Sequence, residues 1–185
     1  FYASAYTVTL RRAPAGTPIE LHLLEGAHLL LGGAPLNVSA GVEVTLSSTG
    51  AGATLDAAGL SGVLVASGGV RLTLRRVHMR SGHATSGGCV HLSSNATDVS
   101  PEGGSATRLV LEGCRLQNCS AADVGGGILV LGGVLEATNV SIDGCIAGVR
   151  GGGLAVEGGQ AIMEGSALTG TTAAGIGVVR GGGVY

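Results

Sequence analysis

All four asparagines of the sequence stand in acceptor patterns for N-linked glycosylation. Each is followed two residues later by serine or threonine, which is the spacing that the acceptor pattern requires. These candidate glycosylation sites are Asn37, Asn95, Asn118 and Asn139. Serine and threonine are also common in turns, which is the plainer explanation of the pattern. Because every asparagine shares it, we expect an extracellular or cell-surface protein that passes through the eukaryotic secretory pathway.

Histidines and carboxylates are the other side chains that could do chemistry. A polysaccharide lyase or hydrolase would need paired carboxylates as acid and base, or carboxylates that hold calcium. The 5 histidines have no metal-ligand spacing, and the 12 acidic residues are scattered along the chain. The sequence therefore predicts no metal site and no cofactor site. Catalysis would require the fold to bring carboxylates together.

The pattern that must position these residues is an internal repeat built on glycines. Glycine triplets begin at Gly125, Gly151 and Gly181, and each is followed by an apolar residue. A sequence pattern that recurs at the spacing of these triplets is typical of a solenoid. The apolar runs that follow the first two triplets are short and end in another glycine pair, which is typical of buried strands. Two further strands of period two complete each repeat, so three short strands are predicted per turn.

Alignment of the repeats predicts which side chains stack in the core. The two predicted inward rows are Val63, Cys89, Ile128 and Leu154, and Met79, Leu116, Ile142 and Leu168. Three strands per turn, with no helical segment, indicate an all-β fold. We predict a right-handed, single-stranded parallel β-helix of roughly six to seven coils, its handedness following the rule for parallel crossovers.

The domain organisation follows from this repeat. Residues 1–185 are interpreted as a single β-helix segment of a longer protein, with residues 1–40 as an irregular first coil. Residues 95–107 lengthen one repeat and contain Ser, Gly and Pro. Insertions in solenoids are surface loops, so residues 95–107 are predicted to form one.

Two motifs of the repeat resemble those of a known family. A glycine pair before an aliphatic residue appears at Gly126-Gly127-Ile128 and Gly152-Gly153-Leu154. An aliphatic residue three places before a ladder residue appears at Leu116-Gln117-Asn118-Cys119 and Ile142-Asp143-Gly144-Cys145. Over roughly residues 40–185, these motifs resemble polymorphic outer-membrane repeats and related repeats of large algal and protist surface proteins. Those proteins belong with the pectin-lyase-like right-handed β-helices. The resemblance implies that fold and a surface location, and hardly anything about activity.

Two cysteines occupy the same place in successive repeats. Cys119 and Cys145 are 26 residues apart and are predicted to stack on adjacent coils. Adjacent strands lie about 4.8 Å apart, which is within the Cα range of a disulfide. We predict a Cys119–Cys145 disulfide, with a stack of two free thiols as the alternative. Cys89 and Cys114 are interpreted as inward-facing free thiols.

The alignment of the repeats also predicts rows of side chains that point outward, and their composition distinguishes a catalytic surface from a contact surface. None of the three outward rows read from the alignment contains two carboxylates, so the chain is interpreted as not being an enzyme. One outward row is apolar, and we name it the contact stripe: Leu64, Val90, Leu129 and Ala155. An apolar stripe indicates contact with another domain, a second chain or a loop of the same chain, although single exposed apolar residues are normal. We favour a neighbouring domain or chain.

The charge and hydropathy of the chain limit the classes of partner that we expect. The net charge is −2 and the 10 basic residues are scattered, whereas a nucleic-acid-binding protein would carry a basic stripe. No apolar run is long enough to predict a membrane span. We therefore expect a non-catalytic structural or adhesive segment of a large glycosylated protein of a wall, matrix or flagellar appendage. Its expected partners are neighbouring coils or domains of the same chain, other surface proteins, or glycans. The alternative is a carbohydrate-active or glycan-binding β-helix.

Overall fold

A computed structural model describes residues 18–39, 41–94 and 107–174 of the chain. These residues form 21 β-strands and no helix. In chain order the strands are β1 (Ile19–His22), β2 (His28–Leu30), β3 (Leu36–Val38), β4 (Glu43–Ser47), β5 (Ala53–Asp56), β6 (Leu64–Ala66), β7 (Arg71–Arg75), β8 (Val77–Arg80), β9 (His83–Ala84), β10 (Val90–Leu92), β11 (Arg108–Glu112), β12 (Arg115–Gln117), β13 (Ser120–Ala121), β14 (Ile128–Val130), β15 (Val134–Thr138), β16 (Ser141–Asp143), β17 (Ile146–Ala147), β18 (Leu154–Val156), β19 (Gln160–Glu164), β20 (Ala167–Thr169) and β21 (Thr172–Ala173).

The strands stack into four sheets in which every neighbouring pair is parallel. The first sheet has the order β1-β4-β7-β11-β15-β19 and the second β2-β5-β8-β12-β16-β20. The third, of two-residue strands, has the order β9-β13-β17-β21, and the fourth β3-β6-β10-β14-β18. The prediction of an all-β parallel solenoid is confirmed, with about five turns in the described residues. The third sheet adds a fourth strand per turn that the sequence did not predict.

The core consists of aliphatic ladders that run along the stack. In the first sheet, Leu72 pairs with Leu109, and Leu109 pairs with Leu135. In the second sheet Leu116 lies between Met79 and Ile142, and Leu168 follows, so this predicted row is confirmed. Side chains of the first three members of that row are completely buried. Burial of each such side chain contributes about 1.5–3 kcal/mol, so these ladders are the main stabilising feature.

Two corners of each turn are made by residues with a left-handed backbone. The corner between the first and second sheets uses Arg76 (φ 52°), Gly113 (φ 61°) and Asn139 (φ 53°) on successive turns. The next corner uses Ser81 (φ 54°) and Asn118 (φ 53°). Glycine and asparagine tolerate this conformation better than other residues, which explains their recurrence at the corners. The second sheet therefore begins and ends at defined points in every turn.

The fourth sheet departs from the predicted register by one residue at a single step, between β10 and β14. Leu64 pairs with Val90, Val90 with Ile128, and Ile128 with Leu154. The predicted row of Val63, Cys89, Ile128 and Leu154 is therefore wrong at one step only. Val63 lies beside Cys89 and Ile128 pairs with Leu154 as predicted, whereas Cys89 and Ile128 are one residue out of register; all four side chains are buried. Cys89 stands opposite Gly127, because the backbone N–H groups of Cys89 and of Val90 both donate to the Gly127 carbonyl at 2.9 Å.

The chain is regular earlier than expected. Strands β1, β2 and β3, within the segment 1–40 that was expected to be irregular, pair in register with β4, β5 and β6. Thr107, the last residue of the predicted insertion loop 95–107, is completely buried, and its hydroxyl accepts a hydrogen bond from the Gly69 N–H at 3.1 Å. The rest of that loop, together with residues 1–17 and 175–185, lies outside the described residues.

Candidate functional site

The cysteines pair differently from the prediction. Cys119 is bonded to Cys89 with a Cα–Cα distance of 5.4 Å, whereas Cys145 is free. The predicted Cys119–Cys145 disulfide is wrong, and so is the interpretation of Cys89 as a free thiol. Cys119 and Cys145 do stack, since their neighbours Ser120 and Ile146 are paired. The side chain of Cys119 is directed at the fourth sheet of the preceding turn instead of along the stack. The bond therefore joins the residue immediately before β10 to the corner before β13, on the next turn.

The two free thiols are buried in the core. Burial raises the pKa of Cys114 to about 11. It also raises the pKa of Cys145. Because the thiolate is the nucleophile, both thiols are unreactive at neutral pH. They act as small packing residues, which confirms the interpretation of Cys114.

Three of the four acceptor asparagines are described, and all three are exposed. Asn37 is the central residue of β3, while Asn118 and Asn139 occupy left-handed corners. A Cβ atom on Gly144 would lie 2.8 Å from the Asn118 Oδ1 atom, so this side chain lies over a glycine of the next turn. Asn139 lies over Gly165 in the same way. Asn139 thus lies at a corner between two strands, and Asn95 lies outside the described residues.

The contact stripe does not form a free surface. Leu64 and Val90 belong to the main core, with 1% and 0% of their surface exposed. Leu129 and Ala155 are equally buried and pack with Val124, which lies in the segment between β13 and β14. A segment of the same chain therefore covers Leu129 and Ala155, whereas Leu64 and Val90 are part of the core. The expectation that this stripe contacts a neighbouring domain or chain is wrong.

An open groove of about 490 Å³ lies at the corner between the first and second sheets. It is lined by His22, Ser47, Ser48, Arg75, Arg76, Glu112, Gly113 and Asn139. Ser47 is paired with His22 and Arg75, because the last residues of the first-sheet strands form one ladder. The His22 Nδ1 atom lies 2.6 Å from the Ser47 hydroxyl, and the Arg75 Nε atom forms an ion pair with the Glu112 carboxylate at 3.0 Å. Arg76 adds a second guanidinium to the groove.

The sequence did not predict this groove. Its residues come from strand ends and corners, whereas the outward rows were read from the middle of each strand. A signal was nevertheless present, because Ser47, Arg75, Glu112 and Thr138 take the fifth place of successive five-residue strands. Polar residues at one repeat position on four turns indicate a polar ladder on the surface.

A second polar cluster surrounds Asp56. Its carboxylate is almost completely buried and accepts hydrogen bonds from the Arg80 guanidinium at 2.8 Å and the Ala58 N–H at 2.8 Å. The His28 Nε2 atom lies 2.9 Å from the same carboxylate. Burial, the largest single effect, raises the pKa of Asp56, but these hydrogen bonds and the Arg80 charge outweigh it, so that the pKa lies below 3.8. The cluster joins β2, β5 and β8 across three turns.

The described residues offer few arrangements for catalysis. Among them, no group of three His, Cys, Asp or Glu side chains is placed to hold a metal ion. Glu112 and Glu164 do share the ladder that lines the groove, but Thr138 lies between them. No helix in the described part of the chain is long and apolar enough to cross a membrane.

The chain was compared with known proteins in three ways. Protein-family models, curated proteins and solved structures each gave no match.

Proposed function

We propose that the chain is a non-catalytic structural or adhesive segment of a large glycosylated protein of the cell surface or extracellular matrix. The observation that carries this proposal is the Cys89–Cys119 disulfide between two turns. Structural disulfides persist in oxidising compartments, which secreted proteins enter and cytosolic proteins do not. Within such a compartment, exposed acceptor asparagines are available for glycosylation.

The exposure of the acceptor asparagines and the solenoid shape support the same proposal. Asn37, Asn118 and Asn139 are exposed on the outside of the stack, where an attached glycan would not disturb the aliphatic ladders. A solenoid transmits its shape from turn to turn, so it suits a spacer or a docking rod. Its partners are neighbouring coils or domains of the same chain, other surface proteins or glycans. The resemblance to polymorphic outer-membrane and algal surface repeats within the pectin-lyase-like β-helices points in the same direction.

Expression of the chain through a eukaryotic secretory pathway tests this proposal. Mass spectrometry should find glycan on Asn37 or Asn139 and the Cys89–Cys119 disulfide in the secreted protein. Asn139→Gln is the matched control, because it should remove one glycan and leave the others in place. Secreted protein in which every acceptor asparagine is unmodified would contradict the proposal.

The corner groove favours one second candidate, glycan binding. Arg75, Arg76, Glu112 and His22 supply donors and acceptors at an open surface, which suits the hydroxyl and carboxylate groups of an acidic sugar. Calorimetry with uronate oligosaccharides should then detect binding that Arg76→Ala weakens and Arg115→Ala, outside the groove, does not. Cleavage of such a polymer, abolished by Glu112→Gln, would instead support a carbohydrate-active protein.

A further inference from the structure

One acceptor segment, Asn118-Cys119-Ser120, is held at all three of its residues. The backbone N–H of Asn118 donates to the Asp143 carbonyl at 3.0 Å, and its φ of 53° fixes it in the corner. Cys119 is 1% exposed and is bonded to Cys89. Ser120 lies in β13, and its hydroxyl is 2.8 Å from the Nδ1 atom of His83.

Glycan transfer needs this same segment to be free. The amide nitrogen of the asparagine loses a proton and bonds to the anomeric carbon of an oligosaccharide, whose lipid diphosphate carrier leaves. The enzyme recognises the asparagine together with the hydroxyl two residues later, so both must leave the corner and enter its active site. Disulfide closure opposes this, because a covalent link keeps the two turns together even when hydrogen bonds open locally.

The corner at Asn139 provides a natural comparison. Asn139 has the same φ of 53°, and its N–H donates to Glu164 as the N–H of Asn118 donates to Asp143. Its neighbour Val140, however, forms no covalent link. The two asparagines therefore share their φ and their backbone hydrogen bond, and the two acceptors differ in the disulfide at the middle residue and in the contact of the Ser120 hydroxyl with His83.

We propose that closure of the Cys89–Cys119 disulfide ends the glycosylation of Asn118, so that Asn118 is modified only in chains that have not yet formed the bond. In closure the two thiols give two protons and two electrons to the disulfide of an oxidoreductase of the secretory compartment. Asn139 is not subject to this limit. The inference rests on the proposed function, because both reactions belong to the secretory pathway.

The test measures glycan occupancy at Asn118 and Asn139 in the same molecules of the full chain, secreted from a eukaryotic host. The Cys89→Ser variant removes the disulfide and leaves the acceptor Asn118-Cys119-Ser120 intact. We expect occupancy at Asn118 to be lower than at Asn139 in the wild type and to rise severalfold in the variant, with occupancy at Asn139 unchanged. A thiol reductant in the culture medium of the wild type should have the same effect.

The outcomes separate this inference from the proposed function. If Asn139 carries glycan and the occupancy of Asn118 is the same with and without Cys89, the inference is wrong and the proposed function stands. If occupancy rises equally at both asparagines, misfolding explains the rise and the inference is again wrong. Absence of glycan from all acceptors in the wild type and in the variant overturns the proposed function and the inference together.

Discussion

Reduction of the Cys89–Cys119 disulfide should lower the free energy of unfolding by about 3.6 kcal/mol at 25 °C. The bond closes a loop with a sequence separation of 30 residues. In the chain-entropy description, the unfolded state gains a fixed amount of entropy on reduction, plus an amount that grows with the logarithm of the loop length. For a domain of this size, such a loss lowers the melting temperature by about 7–14 °C.

Urea unfolding followed by circular dichroism, with and without a thiol reductant, measures this difference. The matched control carries Cys89→Ala and Cys119→Ala together. Its unfolding midpoint should not respond to reductant, because Cys114 and Cys145 are already free thiols. Equal midpoints for oxidised and reduced wild type would refute the reasoning. A disulfide-linked peptide that joins Cys119 to Cys145 would refute the observed pairing.

Three further predictions concern the core, the buried carboxylate and the glycine stack. Leu116→Ala should cost about 2–5 kcal/mol in urea unfolding because Leu116 is completely buried, whereas the exposed Arg115→Ala should cost under about 0.5 kcal/mol. The stability advantage of the wild type over Asp56→Asn should be constant above about pH 5, where the carboxylate is ionised in both states, and should shrink as the pH falls below 3.8. The unfolded state then takes up a proton that the folded carboxylate, with its lowered pKa, still resists, so protonation favours unfolding; a pH-independent difference would contradict this. Gly126→Ala should destabilise the fold by about 1–3 kcal/mol or more, because its Cβ atom would meet the carbonyl groups of Ile146 and Gly152. Gly62→Ala, whose nearest contact would be 3.7 Å away, should be tolerated, and similar losses for both variants would contradict the account.

The second sheet could be predicted from the sequence because its boundaries are visible there. Its strands alternate apolar and polar residues, and a corner that tolerates a left-handed backbone stands on each side. A slip of one residue would bury a polar row, so the ladder from Met79 to Leu168 has one acceptable register. Because this alternation and these corners recur in each repeat, the parallel solenoid was also predicted correctly.

The register of the fourth sheet was predicted less accurately, because the glycine pattern changes between turns. A pair, Gly87-Gly88, precedes Cys89, whereas triplets begin at Gly125 and Gly151. Aligning the last glycine of each group places Cys89 beside Ile128, one residue away from the observed register. Apolar residues follow on both sides of this boundary, so the hydrophobic pattern does not reject the slip. Leu64 and Val90 were placed in the contact stripe as a result of this alignment, although they share the ladder of Ile128 and Leu154. The disulfide prediction was wrong for a different reason, because two stacked cysteines were taken to be partners.

The two positions joined by the disulfide have counterparts on the next turn of the solenoid. Gly127 is the counterpart of Cys89 one turn later, and Cys145 is the counterpart of Cys119. A Cβ atom on Gly127 would lie 3.4 Å from the Cys145 Sγ atom, so the next turn repeats the geometry with one sulfur and one glycine. Each cysteine of the Cys119–Cys145 stack therefore faces the fourth sheet of the preceding turn. The partner of Cys119 therefore lies across the core, beside the fourth sheet, and not above it on the next turn.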